Sequence, residues 1–81
     1  MNQLTGKMKE QIKQTAYIDS NGDVWKRIDI GSRTEYEQIK PFLGCIAVFE
    51  ENCPMKYPVR DLSWQDYHNY VYKGIKINSN L

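Results

Sequence analysis

Two short apolar runs separated by a polar, proline-containing break constrain the fold of this chain most strongly. The first run covers residues 45–49, the break residues 50–54, and the second, β-prone run residues 55–59. Short apolar runs bounded by turn residues are typical of buried strands, and two runs at this spacing are typical of a β-hairpin. The sequence therefore predicts an antiparallel sheet at the centre of the molecule.

A second hairpin is predicted over residues 16–30. The turn falls at Asn21-Gly22, because both residue types tolerate the positive φ values of tight hairpin turns. In the returning strand, Val24 and the aliphatic residues that alternate with Trp25 are expected to face the core. Trp25 itself is then expected to project from the opposite face of the sheet.

Helices are predicted at both ends of the chain. Over residues 4–14, apolar side chains recur every four positions and line one helical face. Residues 64–73 follow Ser63, a favourable N-cap, and precede Gly74, a favourable C-cap. A strand is the competing interpretation of the second segment, because residues 70–72 (Tyr-Val-Tyr) are rich in β-forming side chains.

The remaining segments complete an α+β fold. Residues 34–37 can start a helical turn, residues 36–39 can instead form a strand, and residues 75–77 predict a short closing strand. We expect a small antiparallel sheet of two successive hairpins with an N-terminal and a C-terminal helix. The strand pattern of residues 23–62 also resembles a bent, SH3-like barrel. We expect one domain over residues 1–81, with residues 1–3 and 78–81 frayed.

Composition narrows the function classes. The 81 residues carry a formal net charge of +1, with 41% hydrophobic and 26% charged residues. Nucleic-acid modules usually show a strongly basic face, and a mimic of DNA would be strongly acidic. No signal peptide and no run long enough to span a membrane is visible. Two cysteines do not make a secreted disulfide scaffold, so we expect free thiols and a cytoplasmic protein.

Residue types that could carry catalysis or bind metals are sparse. His68 is the only histidine, and nothing in its spacing predicts contact with Cys53. The two cysteines have seven residues between them and lack the paired short spacing of zinc sites. Asp19, Asn21 and Asp23 resemble the start of a calcium loop, but Val24 stands where the loop requires glycine. We therefore expect a turn there, and no enzyme activity, cofactor or metal.

Aromatic residues are the remaining signal. Ten of the 81 residues are Phe, Tyr or Trp, and four of them fall within residues 64–72. One helical face cannot bury all four, so the surplus is expected at the surface, where aromatic side chains favour protein binding. The competing interpretation is that aromatics fill a core that has few leucines.

The sequence therefore predicts a non-enzymatic protein-binding module that presents aromatic side chains ringed by basic ones. A small barrel that binds nucleic acid through basic and aromatic residues is the alternative, and a homodimer seam would also explain an aromatic patch. The abundance of Lys, Ile, Asn and Tyr is similar to that of compact phage and bacterial proteins, which suggests an accessory or inhibitory factor. The predicted partner-binding residues are Trp25, Arg27, Arg33, Tyr57, Arg60, Tyr70, Tyr72 and Lys73.

Overall fold

The computed structural model describes residues 12–77, which form an open five-stranded antiparallel sheet with one helix packed on a face. The strand order across the sheet is β4-β3-β2-β1-β5. The elements are β1 (Ile12–Ile18), β2 (Val24–Ile30), β3 (Arg33–Lys40), β4 (Gly44–Phe49), β5 (Arg60–Leu62) and α1 (Trp64–Lys73).

The predicted arrangement of two successive hairpins is wrong. Strands β1 to β4 form one continuous meander, and β4 pairs with β3 instead of with residues 55–59. Residues 50–59 form a crossover that leads from the β4 edge to the opposite edge, where β5 pairs with β1. The SH3-like barrel is wrong as well, because β4 and β5 lie at opposite edges of an open sheet. These pairings join strands far apart in sequence, which local patterns do not specify.

The N-terminal helix predicted over residues 4–14 is not supported. Its last three residues belong to β1, because they pair with Ile28, Asp29 and Ile30 of β2. Residues 4–11 lie outside the described residues, as do the predicted frayed ends 1–3 and 78–81. The fold class is therefore corrected to a five-stranded antiparallel sheet followed by a single C-terminal helix within residues 12–77.

Locally specified elements match their predictions better. The hairpin at Asn21-Gly22 is confirmed, with φ of 86° at Gly22. The helix over residues 64–73 is confirmed with both caps: Ser63 accepts a hydrogen bond from the Asp66 amide, and Gly74 adopts a left-handed conformation. The segment around residues 34–39 is the strand β3 and not a helical turn. The closing strand at residues 75–77 is wrong, since these residues have no strand pairing.

The core lies between α1 and one face of the sheet. Ile18, Val24 and Ile39 are paired across β1, β2 and β3, so their side chains share that face. Tyr67 and Val71 of α1 pack onto them. Each fully buried aliphatic side chain contributes roughly 1.5–3 kcal/mol, which places most of the stabilisation at this end of the sheet. The buried cluster comprises Ala16, Ile18, Val24, Ile39, Leu62, Tyr67 and Val71.

Candidate protein-binding surface

Trp25 is not available to a partner. It projects from the sheet face opposite Val24, as the alternation predicts, but only 1% of its surface is exposed. The Phe49 ring lies 5.9 Å from it, centroid to centroid. Its indole N–H donates to Asp19 Oδ2 at 3.0 Å. The prediction of Trp25 as a partner-binding residue is therefore wrong, because its ring is buried and its indole N–H is hydrogen-bonded within the chain.

Asp19 organises the structure around Trp25. Its carboxylate, fully buried, accepts four hydrogen bonds. Oδ1 accepts from the backbone amides of Asn21 and Asp23, each at 2.9 Å, and Oδ2 accepts from Trp25 and from the Lys56 amide at 3.1 Å. Burial raises the pKa of Asp19, but these hydrogen bonds outweigh it and leave the pKa below 3.8. Through its bond to the Lys56 amide, Asp19 in the β1–β2 turn also holds the crossover against the sheet.

Two of the predicted basic residues, Arg27 on β2 and Arg33 on β3, are engaged in ion pairs. Arg27 Nε lies 3.0 Å from Asp29 Oδ1, and the Arg27 guanidinium lies 5.9 Å from the Tyr36 ring centroid. Arg33 lies 3.6 Å from Glu35. Intramolecular pairs of this kind reduce the charge that a nucleic-acid backbone would meet.

The other predicted site residues lie on the crossover, on β5 and on α1. Tyr57 is exposed on the crossover, and Arg60 lies half-buried on β5. Tyr70 is half-buried against the core, where burial raises the pKa of its phenol. Tyr72 and Lys73 are both exposed and consecutive on α1, where neighbouring residues do not face each other.

A row of aromatic rings follows α1. Trp64, His68 and Tyr72 are spaced by four residues and lie on one flank of the helix. Their neighbouring ring centroids are 6.2 Å and 5.8 Å apart. The buried Tyr67 ring supports the row from below, 5.2 Å from Trp64 and 5.6 Å from His68. The row is exposed along its length, and exposure rises to 70% at Tyr72.

The β3–β4 turn adds two apolar side chains that sequence reasoning missed. Phe42 and Leu43 are 73% and 74% exposed. The turn closes with a hydrogen bond from the Leu43 amide to the Lys40 carbonyl at 3.2 Å. Phe42 has a φ of 66°, a value that glycine or asparagine normally supplies at this turn position. The available signal was the presence of two large apolar residues between Pro41 and Gly44, where turns are usually polar.

The turn is fixed against the end of α1. The Phe42 amide donates to the Val71 carbonyl at 2.7 Å. The Phe42 ring lies over Gly74, so that a Cβ atom at position 74 would stand only 2.8 Å from Phe42 Cζ. These contacts fix the turn to the end of α1, and the exposed side chains of the turn, the helix flank and the helix end are here called the helix–turn surface. It comprises Phe42, Leu43, Trp64, His68, Tyr72 and Ile75.

Reactive and metal-binding groups do not converge within the described residues. Burial raises the pKa of the Cys53 thiol, so it stays protonated at neutral pH. Residues 12–77 contain no group of three or more His, Cys, Asp or Glu side chains placed to hold a metal ion. Both cysteines are free thiols. Over the same range, no helix has the length and apolar character that a membrane span requires.

Comparison with protein families, with curated proteins and with solved structures finds no match for this chain.

Proposed function

We propose that this chain is a non-enzymatic protein-binding module of the cytoplasm that holds its partner on the helix–turn surface. The observation that carries the proposal is the exposure of Phe42, Leu43 and Tyr72 on elements that are themselves fixed by hydrogen bonds. Large exposed aromatic side chains on a rigid support are typical of binding hot spots, since little conformational entropy is lost on binding.

The backbone of Phe42 supports the same proposal. A bulky residue with positive φ costs of order 1–3 kcal/mol relative to a glycine or asparagine at that position. The contact of the ring with Gly74 accounts for only part of the side chain, which is 73% exposed. A strained and exposed aromatic residue is more readily explained by a contact with another molecule.

Two exposed lysines directly follow residues of the helix–turn surface in the chain. Lys73 follows Tyr72, and Lys76 follows Ile75; both lysines are exposed. An apolar centre with a basic rim fits a partner that offers an apolar groove or helix face flanked by acidic side chains. The free cysteines agree with a reducing compartment.

Nucleic-acid binding is the alternative function, but three of the residues predicted for it are buried or ion-paired. Trp25 is buried and cannot stack on a base. Arg27 is paired with Asp29, and Lys26 lies 3.7 Å from Glu37 and 5.7 Å from the Tyr67 ring centroid.

Affinity capture from a lysate, with mass spectrometry, tests the proposal through matched variants. Tyr72→Ala and Phe42→Asn should each weaken the affinity for the specific partner roughly 30-fold, about 2 kcal/mol. Less partner should then be captured. Asparagine tolerates the left-handed backbone at position 42, so the fold should survive.

Tyr57→Ala is the matched control. Tyr57 is 68% exposed, against 70% for Tyr72, but lies on the crossover. Its loss should leave capture unchanged. Equal capture by wild type and the Tyr72 and Phe42 variants, with circular dichroism unchanged, would overturn the proposal. Binding that is recovered only with nucleic acid and collapses as salt is added would favour the alternative.

A further inference from the structure

His68 lies at the centre of the aromatic row on α1. The ring centroids of Trp64 and Tyr72 are 6.2 Å and 5.8 Å from that of His68, with interplanar angles of 32° and 41°. The buried Tyr67 ring lies 5.6 Å from it, at an interplanar angle of 67°. The side chain is exposed, and within residues 12–77 its ring nitrogens have no hydrogen-bond or ion-pair partner. A charge on this imidazole would therefore be surrounded by aromatic rings and solvent.

We propose that protonation of His68 weakens the binding of the partner at the helix–turn surface, so that the neutral imidazole is the form that binds. This inference rests on the proposed function and adds a regulation to it. Histidine is the side-chain type whose ordinary charge change falls between pH 5 and 8, and His68 is the only histidine of the 81 residues. The chain thus carries one such side chain, and it lies within the surface assigned to the partner.

Charged side chains beneath α1 come from the sheet face that the helix covers. The pairing of the strands and their alternation place five charged side chains on that face: Lys26, Arg33, Glu35, Glu37 and Arg60. Lys26 lies 3.7 Å from Glu37, and Arg33 lies 3.6 Å from Glu35, so four of the five are ion-paired. None of the five forms a hydrogen bond or an ion pair with His68.

The charged residues of α1 do not face His68 either. Asp66 and Lys73 lie two and five positions from it along the helix. Side chains face each other on a helix when they are three or four positions apart, as His68 is from Trp64 and Tyr72. No carboxylate of α1 or of the covered sheet face is therefore placed to pair with a protonated His68.

The binding of a partner replaces the water around the exposed part of this ring. Burying a charge that has no paired counter-charge costs far more free energy than burying a neutral ring. The rings of Trp64 and Tyr72 attract a neighbouring cation, but they do so in the free protein as well as in the complex. The difference between free and bound states therefore favours the neutral imidazole, and acidification should release the partner.

Comparison of wild type with His68→Phe tests the inference, because phenylalanine keeps a ring in the row and cannot take up a proton. The probe is the protein that wild type captures from the lysate, identified by mass spectrometry and then purified. Between about pH 7.5 and about pH 5.5, the affinity of wild type relative to His68→Phe should fall on the order of tenfold. The ratio at each pH cancels titration of the partner and of the amino terminus, which are the same in both measurements.

His68→Arg is the second variant, because it carries a fixed charge at the same position. Its affinity at about pH 7.5 should already be as weak as that of acidified wild type, with circular dichroism unchanged. A ratio of wild type to His68→Phe that stays constant, or rises on acidification, would overturn the inference and leave the proposed function standing. Capture that Tyr72→Ala does not reduce at either pH would overturn the proposed function, and this inference with it.

Discussion

Asp19 is the residue through which the β1–β2 turn, the Trp25 indole and the crossover are joined. Four donors converge on one buried carboxylate, two on each oxygen. A carboxylate is needed because both oxygens must accept. An asparagine amide nitrogen in the place of Oδ2 would face two other donors, the Trp25 indole and the Lys56 amide, which cannot be satisfied together.

Asp19→Asn should therefore lower the free energy of unfolding by about 2–4 kcal/mol, the range for losing charge-assisted hydrogen bonds and leaving buried donors unpaired. Urea denaturation followed by tryptophan fluorescence measures the change. Asp61→Asn, on the exposed side chain of β5, is the control and should stay within about 0.5 kcal/mol. A loss at position 19 no greater than that of the control would contradict this account of the carboxylate.

The same carboxylate makes stability depend on pH. Because its pKa in the folded protein lies below the ordinary value of 3.8, its contribution is complete above the unfolded-state pKa and is lost as pH falls through the folded-state pKa. Asp19→Asn has no such group, so the stability difference between wild type and variant should narrow on acidification from pH 7 towards pH 3. A difference that stays constant or widens would show that the carboxylate is not the stabilising form.

At the scale of elements, sequence signals that act within a few residues predicted a helix and a hairpin correctly. Helix α1 was found from its caps, and the first hairpin from Asn21-Gly22, because each signal acts within a few residues. The pairing of β5 with β1 joins residues more than forty positions apart, and no local pattern records it. The exposure predicted for Trp25 is wrong for a related reason. The Phe49 ring that packs on Trp25 and the Lys56 amide that binds Asp19 both come from segments distant in sequence.

The junction between the β3–β4 turn and α1 gives a prediction at this scale. Gly74→Ala should cost about 1–2 kcal/mol for the left-handed backbone, and more because the new Cβ atom would meet the Phe42 ring. Combining Gly74→Ala with Phe42→Asn removes the ring, so the double variant should lose less than the sum of the two single changes. A double-mutant cycle from urea denaturation measures this coupling. Strict additivity would show that the ring and Gly74 do not interact.

At the scale of the whole molecule, the stabilising contacts are unevenly distributed. β2 pairs along all seven of its residues with both β1 and β3, and it buries Val24 on one face and Trp25 on the other. The edges β4 and β5, by contrast, have fewer pairs. The helix flank and the turn that carry the candidate surface lie outside this central strand.

Native-state hydrogen exchange should resolve this difference in stability between the central strand and the edges. Amides of β2 should exchange last, through global unfolding, whereas those of β4 and β5 should exchange earlier through local opening. Asp19→Asn provides the internal control, because it should reduce protection in β2 by the same free energy that denaturation records. Its effect on amides that already exchange by local opening at the β4 edge should be smaller. Protection in β4 equal to that in β2 would contradict the view that the edge opens independently of the centre.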